Sequence, residues 1–482
     1  MKIVFAASEM TPFVKTGGLA DVIGTLPQEI ERLGHKVLVF IPRTKGVDPQ
    51  KRELQVAIDR LDVPLGTEKE TGRIYRTVLK SGAEVYLVDH PEFFCREGLY
   101  GTGLGDYPDN DRRFIFFQRA VLETLRATGF NPDVIHCHDW QTGLIPTYLK
   151  TLYARDPVFE KTKSVFTIHN LAYQGNFPPD SLPATGLDWN QFRLERLEFY
   201  GKVSFLKAGL VDADLVTTVS ERYAQEIQTK EFGCGMEGVF AKRRDVLFGI
   251  INGIDPAEWD PETDSDLTAR YSVEKIDRKG INKNALQKED GLTADPKIPL
   301  LGLVARLVEH KGLDILMAGL PLMMEWGVQF VLLGTGDEKY HQLLREAAKK
   351  YKGKMAVHIL FDPKKAKQIY AGCDLMLLPS YYEPCGLGQM IALRFGTVPV
   401  ARRTGGLADT VREFNPKTGR GNGFCFDDYK PEALAAAVRR ALALYRDPDK
   451  WSGLVKNAMA CDFSWTASAK KYVRVYEKVK NA

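Results

Sequence analysis

A chain of 482 residues with 66 Lys and Arg against 62 Asp and Glu carries a formal charge of +4, and 44% of it is hydrophobic. The composition is that of a globular protein with room for two or more domains of roughly 150 residues. So weak a charge, without a basic tail, argues against nucleic acid as a partner, and no uninterrupted run of about 18 apolar residues offers a membrane-spanning helix.

The opening stretch from Met1 to Phe5 runs straight into Ser8-Glu9, too short an apolar segment for the core of a signal peptide. Seven cysteines, odd in number and scattered without a C-x-x-C pair, disfavour both a disulfide framework and a metal cluster. Together these features predict a soluble, reduced, cytoplasmic protein, or a stromal one if the chain is a processed plastid protein.

In chain order, residues 2–7 form a β-branched and aromatic run, followed by a loop bearing Gly17 and Gly18 and an apolar pattern at helical spacing through Leu33. Residues 36–41 are the next strand, so the chain begins as a strand, loop, helix, strand unit. Residues 134–136, 164–168 and 215–219 add short strands, each leading into a polar loop. The alternation restarts at 299–305 and continues at 329–333, 357–361, 375–378 and 398–401. Two doubly wound α/β domains fit this pattern better than one.

The boundary is expected near Ile251-Asn252-Gly253-Ile254-Asp255, where a hinge would let two lobes close on a cleft. Gly17-Gly18-Leu19-Ala20-Asp21 recurs as Gly405-Gly406-Leu407-Ala408-Asp409, either a trace of duplication or two glycine turns that start helices. Near the end, Tyr472, Val475, Tyr476 and Val479 stand at helical spacing and give residues 468–480 an apolar face that must dock.

Ligands of open parallel sheets bind beyond the carboxyl ends of the strands. The residues there are Lys15 to Gly18, His136 to Gln141, His169-Asn170, Arg306, Lys311, residues 334–337, residues 383–386 and residues 404–406. This set is rich in phosphate chemistry: glycine-bearing helix starts offer unpaired N–H groups. Arg306 and Lys311 could neutralise a diphosphate leaving group without a metal, or could be a solvated surface pair. His136-x-His138-Asp139 is the nearest approach to a metal set, but its faces alternate and it lacks a third partner at familiar spacing. Glu383 could accept from sugar hydroxyls or cap a helix. His169 could act on a ligand or be a satisfied histidine at a strand end, and Cys385 at a helix start could be a thiolate or structural. Gly334-x-Gly336 lacks the third glycine, with Lys339 in its place, so no dinucleotide fingerprint is complete.

Along essentially its whole length the chain resembles the bacterial glycogen synthases and plant starch synthases. The resemblance is carried by Lys15-Thr-Gly-Gly-Leu-Ala-Asp21, Tyr107-Pro-Asp-Asn-Asp111, His138-Asp-Trp-Gln-Thr-Gly143, Thr167-Ile-His-Asn-Leu-Ala-Tyr-Gln-Gly175, Glu231-Phe-Gly-Cys-Gly235, Asn252-Gly-Ile-Asp255, Lys311-Gly312, Glu383-Pro-Cys-Gly-Leu387 and Thr404-Gly-Gly-Leu-Ala-Asp409. It implies a GT-B fold, with two Rossmann-like domains facing a cleft and a terminal helix crossing back to the first. Residues 1–250, joined by 461–482, would be the glucan side, and residues 251–460 the nucleotide-sugar side.

The implied reaction moves glucose from ADP-glucose to the non-reducing end of an α-1,4-glucan with retention, using no metal and no cofactor. The resemblance implies that Arg306 and Lys311 hold the diphosphate, that Lys15 and the Gly18 backbone approach it, and that Glu383 binds the donor glucose. His169 would lie over the reacting sugar, its carbonyl near the anomeric carbon and its ring toward the 6-hydroxyl. Asp139, Asn170 and Asn252 would complete the sugar pocket, and Phe361, Tyr382, Cys385, Gly386, Leu387 and Thr404 would line the donor site. Tyr100 and Trp140 are expected as flat acceptor platforms.

The sequence departs from the family pattern at Tyr381-Tyr382 before the Glu-Pro-Cys-Gly loop, at Leu360-Phe361-Asp362-Pro363, at Ala305 before Arg306, and at Glu221-Arg222. The first two bear on the choice between ADP-glucose and UDP-glucose. The competing readings are a UDP-glucose or small-acceptor transferase and a noncatalytic glucan-binding homologue. Neither nucleic acid nor membrane is expected as a partner.

Overall fold

The computed structural model describes residues 1–481. The chain divides into two compact units: one of residues 1–219, 224–250 and the terminal segment from Trp465, the other of residues 220–223 and 251–464.

The first unit is built on β1 (Lys2–Ala6), β2 (Lys36–Pro42), β3 (Gln55–Leu65), β4 (Glu68–Val78), β5 (Glu84–Asp89), β6 (Val134–His138), β7 (Lys163–Ile168), β8 (Leu215–Thr218) and β9 (Leu247–Gly249). These nine strands form one sheet in the order β9-β8-β7-β6-β1-β2-β5-β4-β3. The strands from β9 to β5 pair in parallel, and β4 and β3 add an antiparallel edge. Because helices cover both faces, the parallel strands read as near-continuous apolar runs; β1, for example, is buried at Ile3 through Ala6.

The edge hairpin was not foreseen from sequence, and neither was β5. β3 leaves most of its first six residues in solvent and carries Arg60, Asp62 and Pro64, so it lacks the apolar run that marks a buried strand. Proline and charge are ordinary features of an edge.

Helix Gly18–Arg32 packs on this sheet through Leu19, Val22, Ile23, Leu26 and Ile30. The terminal helix Trp465–Lys480 joins the same core with Trp465, Ala469, Tyr472, Tyr476 and Val479. Two polar contacts fix its register: Thr466 Oγ1 donates to Glu29 Oε2 at 2.6 Å, and Tyr476 Oη lies 2.8 Å from His136 Nδ1. The apolar face read from the sequence therefore docks on the first unit.

The second unit is built on β10 (Leu300–Val304), β11 (Gln329–Leu333), β12 (Met355–His358), β13 (Leu375–Leu378), β14 (Val398–Arg402) and β15 (Phe424–Phe426). All are parallel, in the order β12-β11-β10-β13-β14-β15. The strand expected at 357–361 is displaced toward the amino terminus. Its ladder runs from Met355 opposite Phe330 to His358 opposite Leu333. Beyond that point the chain turns into helix Pro363–Gly372, whose first turn is capped by Asp362 accepting from Lys365 N.

Among the described residues, no helix is long and apolar enough to cross a membrane. Removing the Tyr476 hydroxyl would leave a buried His136 nitrogen without its partner. Tyr476→Phe is expected to cost about 1–3 kcal/mol, and Tyr476→Ala, which also opens a cavity, about 3–5 kcal/mol. Denaturant unfolding of the two variants checks both the order and the size.

Candidate active site

In each unit the chemistry-bearing residues gather where the strand order reverses. β1 lies between β2 and β6, and β10 lies between β11 and β13. At such points the crossover helices leave on opposite faces and a crevice opens at the carboxyl edge.

In the second unit, Arg306 follows β10 and Ser380 and Glu383 follow β13. A cavity of about 150 Å³ is lined by Arg306, Lys311, Ser380, Glu383 and residues 386–389, among others, where helix Gly388–Arg394 begins. Lys311 Nζ donates to Glu383 Oε2 at 2.5 Å, and Ser380 Oγ donates to the same oxygen at 3.0 Å. Burial pushes the Glu383 carboxyl up, but the Lys311 ammonium outweighs it and holds the group below its usual range. Arg306 is exposed, and among the described residues its guanidinium has no hydrogen-bond or ion-pair partner. One cation is thus compensated and the other free.

The loop carrying Glu383 is braced by backbone. Gly406 N donates to Glu383 O at 3.1 Å, and Ser220 Oγ donates to Pro384 O at 2.6 Å. A Cβ on Gly405 would stand 2.0 Å from Glu383 O and one on Gly406 2.0 Å from Cys385 O, so neither position admits a side chain. Cys385 is buried, and burial pushes its thiol up to about 12, which makes it a structural group rather than a nucleophile. The backbone N–H of Asn252 points at its sulfur.

In the first unit, Glu9 follows β1, Asp139 follows β6 and His169 follows β7. Asp139 has φ 57° and ψ −176°, a region that side chains seldom occupy. Held there, its Oδ1 accepts from His169 N at 2.8 Å. Burial, helped by the neighbouring Glu9 charge, raises the Asp139 carboxyl to about 7. The His169 ring bonds through Nε2 to His138 Nδ1 at 2.9 Å, and burial lowers its imidazole to about 3. Glu9 takes the Thr16 N–H at 2.5 Å and the Gly17 N–H at 3.2 Å, holding the loop that precedes helix Gly18–Arg32. Lys15 is exposed and pairs with Asp21 at 2.6 Å.

Residues 2–242 match the family model described as the starch synthase catalytic domain, and residues 286–457 match glycosyl transferases group 1. Two similar curated proteins are glycogen synthases. That of Syntrophotalea carbinolica is 48% identical, with 99% of each chain covered, and that of Koribacter versatilis is 48% identical, covering 100% of this chain and 98% of the other. The chain belongs to the glycogen and starch synthase family.

A solved structure of the catalytic domain of starch synthase IV from Arabidopsis thaliana bound to ADP and acarbose superposes with a TM-score of 0.90 at 35% identity, covering 100% of this chain and 99% of that one. A sucrose-phosphate synthase from Thermosynechococcus elongatus, at 18% identity and a TM-score of 0.61, shares the fold. This family member is accordingly a retaining glycosyltransferase with the GT-B fold.

Within this family member, the expected residues divide by unit. Lys15, Gly18, Tyr100, Asp139, Trp140, His169 and Asn170 lie in the first, while Asn252, Arg306, Lys311, Phe361, Tyr382 to Leu387 and Thr404 lie in the second. Tyr382 stacks on His310 with centroids 4.8 Å apart, and Phe361 is 82% exposed.

One expectation needs correction. Trp140 is only 9% exposed, edge-on to Phe114 at 4.9 Å and packed so closely that a Cβ on Gly175 would fall 2.6 Å from its ring. It is a wall of the core and not an open platform. Tyr100 is half-buried, with its hydroxyl 2.7 Å from Ser8 Oγ.

The sequence pattern does not single out Glu9, Ser380 or the His138 contact to His169, although Glu9 stands in the first loop after β1, at a strand's carboxyl end. A larger cavity of about 510 Å³, lined by Leu194, Phe199, Tyr200, Lys207 and Arg243 among others, contains none of the expected residues.

A Cβ on Gly18 would meet nothing within 4 Å. Gly18→Ala is therefore expected to keep the thermal midpoint of the wild type, while Gly406→Ala lowers it markedly; differential scanning fluorimetry separates the two. Asp139 yields a pH signature. Its folded value near 7 lies above the unfolded value of about 3.9, so its contribution is complete below pH 4 and is lost as pH rises through 7. Wild-type stability relative to Asp139→Asn should fall by up to about 1.4 kcal/mol per pH unit across that window, and unfolding midpoints from pH 4 to 8 measure the difference.

Proposed function

We propose that this enzyme transfers glucose from ADP-glucose to the non-reducing end of an α-1,4-glucan, retaining the α configuration and using no metal. The observation that carries the reading is the cavity lined by Arg306 and Lys311 at the start of helix Gly388–Arg394: two cations beside a helix start suit a diphosphate. Residues 251–460 would be the nucleotide-sugar side, and residues 1–250 with 461–482 the glucan side. Seven unpaired thiols support a cytoplasmic setting.

Retention requires either two inversions or departure and attack on one face. Glu383 is a poor nucleophile, because Lys311 and Ser380 already occupy one of its oxygens. Asp139 is committed to the His169 backbone. We therefore favour an oxocarbenium-like transition state in which Arg306 and Lys311 stabilise the charge that develops on the departing diphosphate and the phosphate takes the acceptor proton. Glu383, Asn170 and Asn252 would bind donor glucose hydroxyls. His169 would direct its carbonyl toward the anomeric carbon and its ring toward the 6-hydroxyl. Lys15 and the Gly18 backbone would bind phosphate. The backbone of Cys385 to Leu387 and Thr404 would line the donor site, with Phe361 and Tyr382 near the base. Tyr100 is the remaining acceptor ring.

Lys311→Ala should cut turnover by orders of magnitude, but it also strands a buried carboxylate at a cost of about 3–5 kcal/mol. Arg306→Ala is the cleaner test. It should lower kcat/KM about 10²–10³-fold while changing stability by less than about 0.5 kcal/mol. Glucose incorporation into glycogen from ADP-glucose and UDP-glucose in parallel, with chelator present, tests the whole reading. Preference for UDP-glucose would shift the donor assignment, and glucan binding without transfer from either donor would refute catalysis.

A further inference from the structure

We infer that His138 is a positioning residue that fixes the proton of the His169 ring on Nδ1, so that His169 meets its ligand as an N–H donor and not as a base. The inference rests on the reading of His169 as a residue that touches the sugar.

His138 closes β6 and is fully buried. Its Nδ1 lies 2.9 Å from His169 Nε2, while its own Nε2 is buried without a hydrogen-bond partner. The ring stacks on Phe5 with centroids 5.8 Å apart and lies tilted against His136 at 4.0 Å. Burial drives His138 well below the ordinary histidine range and His169 to about 3, so both rings are neutral and each carries one N–H.

Two neutral imidazoles sharing one hydrogen bond have two arrangements. If His169 donated through Nε2, His138 would have to accept at Nδ1 and carry its only proton on Nε2, a buried donor with nothing to receive it. If His138 donates through Nδ1, the unpaired atom is merely a lone pair. Orphaned buried N–H groups are the rarer and costlier case, so His138 donates. His169 then accepts at Nε2, and its proton sits on Nδ1.

His136 does not disturb this assignment. Its nitrogens are taken by the Tyr476 and Thr167 hydroxyls, which rotate to suit either tautomer. With the His169 backbone N–H held by Asp139 Oδ1, Nδ1–H is the polar hydrogen that residue has left to offer. It can donate to a hydroxyl oxygen of the bound sugar, and it has no lone pair there with which to accept a proton.

The test uses the full chain labelled with ¹⁵N-histidine. Long-range ¹⁵N–¹H correlation spectra, with His169 assigned by its loss in His169→Gln, should show a neutral ring protonated at Nδ1. A ring protonated at Nε2, or an imidazolium, would overturn the inference, and this measurement depends on no variant at position 138. Kinetically, His138→Phe should lower kcat by about tenfold to a hundredfold with little change in donor KM. His138→Asn, whose amide can place an N–H near the lost Nδ1, should recover most of that loss and keep the Nδ1 tautomer. Wild-type kcat in a folded His138→Phe would refute the role of His138 alone. Wild-type kcat in His169→Ala would instead refute the reading of His169 on which that role stands.

Discussion

A parallel strand can leave its sheet at one edge only, and that constraint organises both units. Every parallel strand delivers its following loop to the same carboxyl edge, and the strand order decides where those loops are forced apart. In the first unit the order reverses between β1 and β6, in the second between β10 and β13. Glu9 and Asp139 stand at one reversal, and Arg306 and Glu383 at the other. No special local sequence is needed to create the crevices, because connection handedness and strand order create them. What the local sequence adds is the chemistry placed on the loops.

That chemistry is prepared by internal pairing. A buried carboxylate is tolerable at Glu383 because Lys311 and Ser380 meet it, and an exposed cation at Lys15 rests on Asp21. Arg306, by contrast with these two lysines, has no ion-pair partner among the described residues. In the proposed reading, a diphosphate would meet one free cation at once and a second that is already held in place by Glu383. The Coulomb attraction between Lys311 and Glu383 opposes the desolvation of both, which is why a charge can wait at a half-enclosed site without a ligand. The first unit works differently: burial keeps His136, His138 and His169 neutral and raises Asp139 toward 7, so this edge presents dipoles and hydrogen-bond donors more than fixed charge.

Much of this was legible in the sequence, for reasons that can be named. Buried parallel strands are apolar on both faces, so β1, β2, β6, β7, β10, β11 and β13 stood out as short apolar runs. The β3–β4 hairpin did not, because an edge strand with one solvated face carries charge and proline. The end of β12 was misread because Leu360 and Phe361 are apolar and yet lie outside the ladder, exposed ahead of a capped helix. Strand-end position pointed to His169, Arg306 and Glu383. It could not reveal that Trp140 is walled in by Phe114 and Gly175, since packing around a ring depends on residues far away in the chain. For the same reason the partner of His169 was invisible: His138 precedes it by 31 positions, and the bond exists only because β6 and β7 pair in register.

The repeated Gly-Gly-Leu-Ala-Asp segment shows how one string of letters can answer two physical demands. Both copies begin helices at a carboxyl edge. At Gly405 and Gly406 the missing side chain is required from within, because backbone carbonyls of the Glu383 loop occupy the space. At Gly18 nothing in the protein occupies it, so folding alone gives no reason for glycine there. A residue that packing does not need, placed at a helix start, suits the proposed approach of a phosphate to the Gly18 backbone. The second copy is fixed by the backbone packed against it, and the first leaves open space beside it. Similarity of sequence between the two halves therefore does not carry similarity of role, and only the atoms opposite each glycine distinguish them.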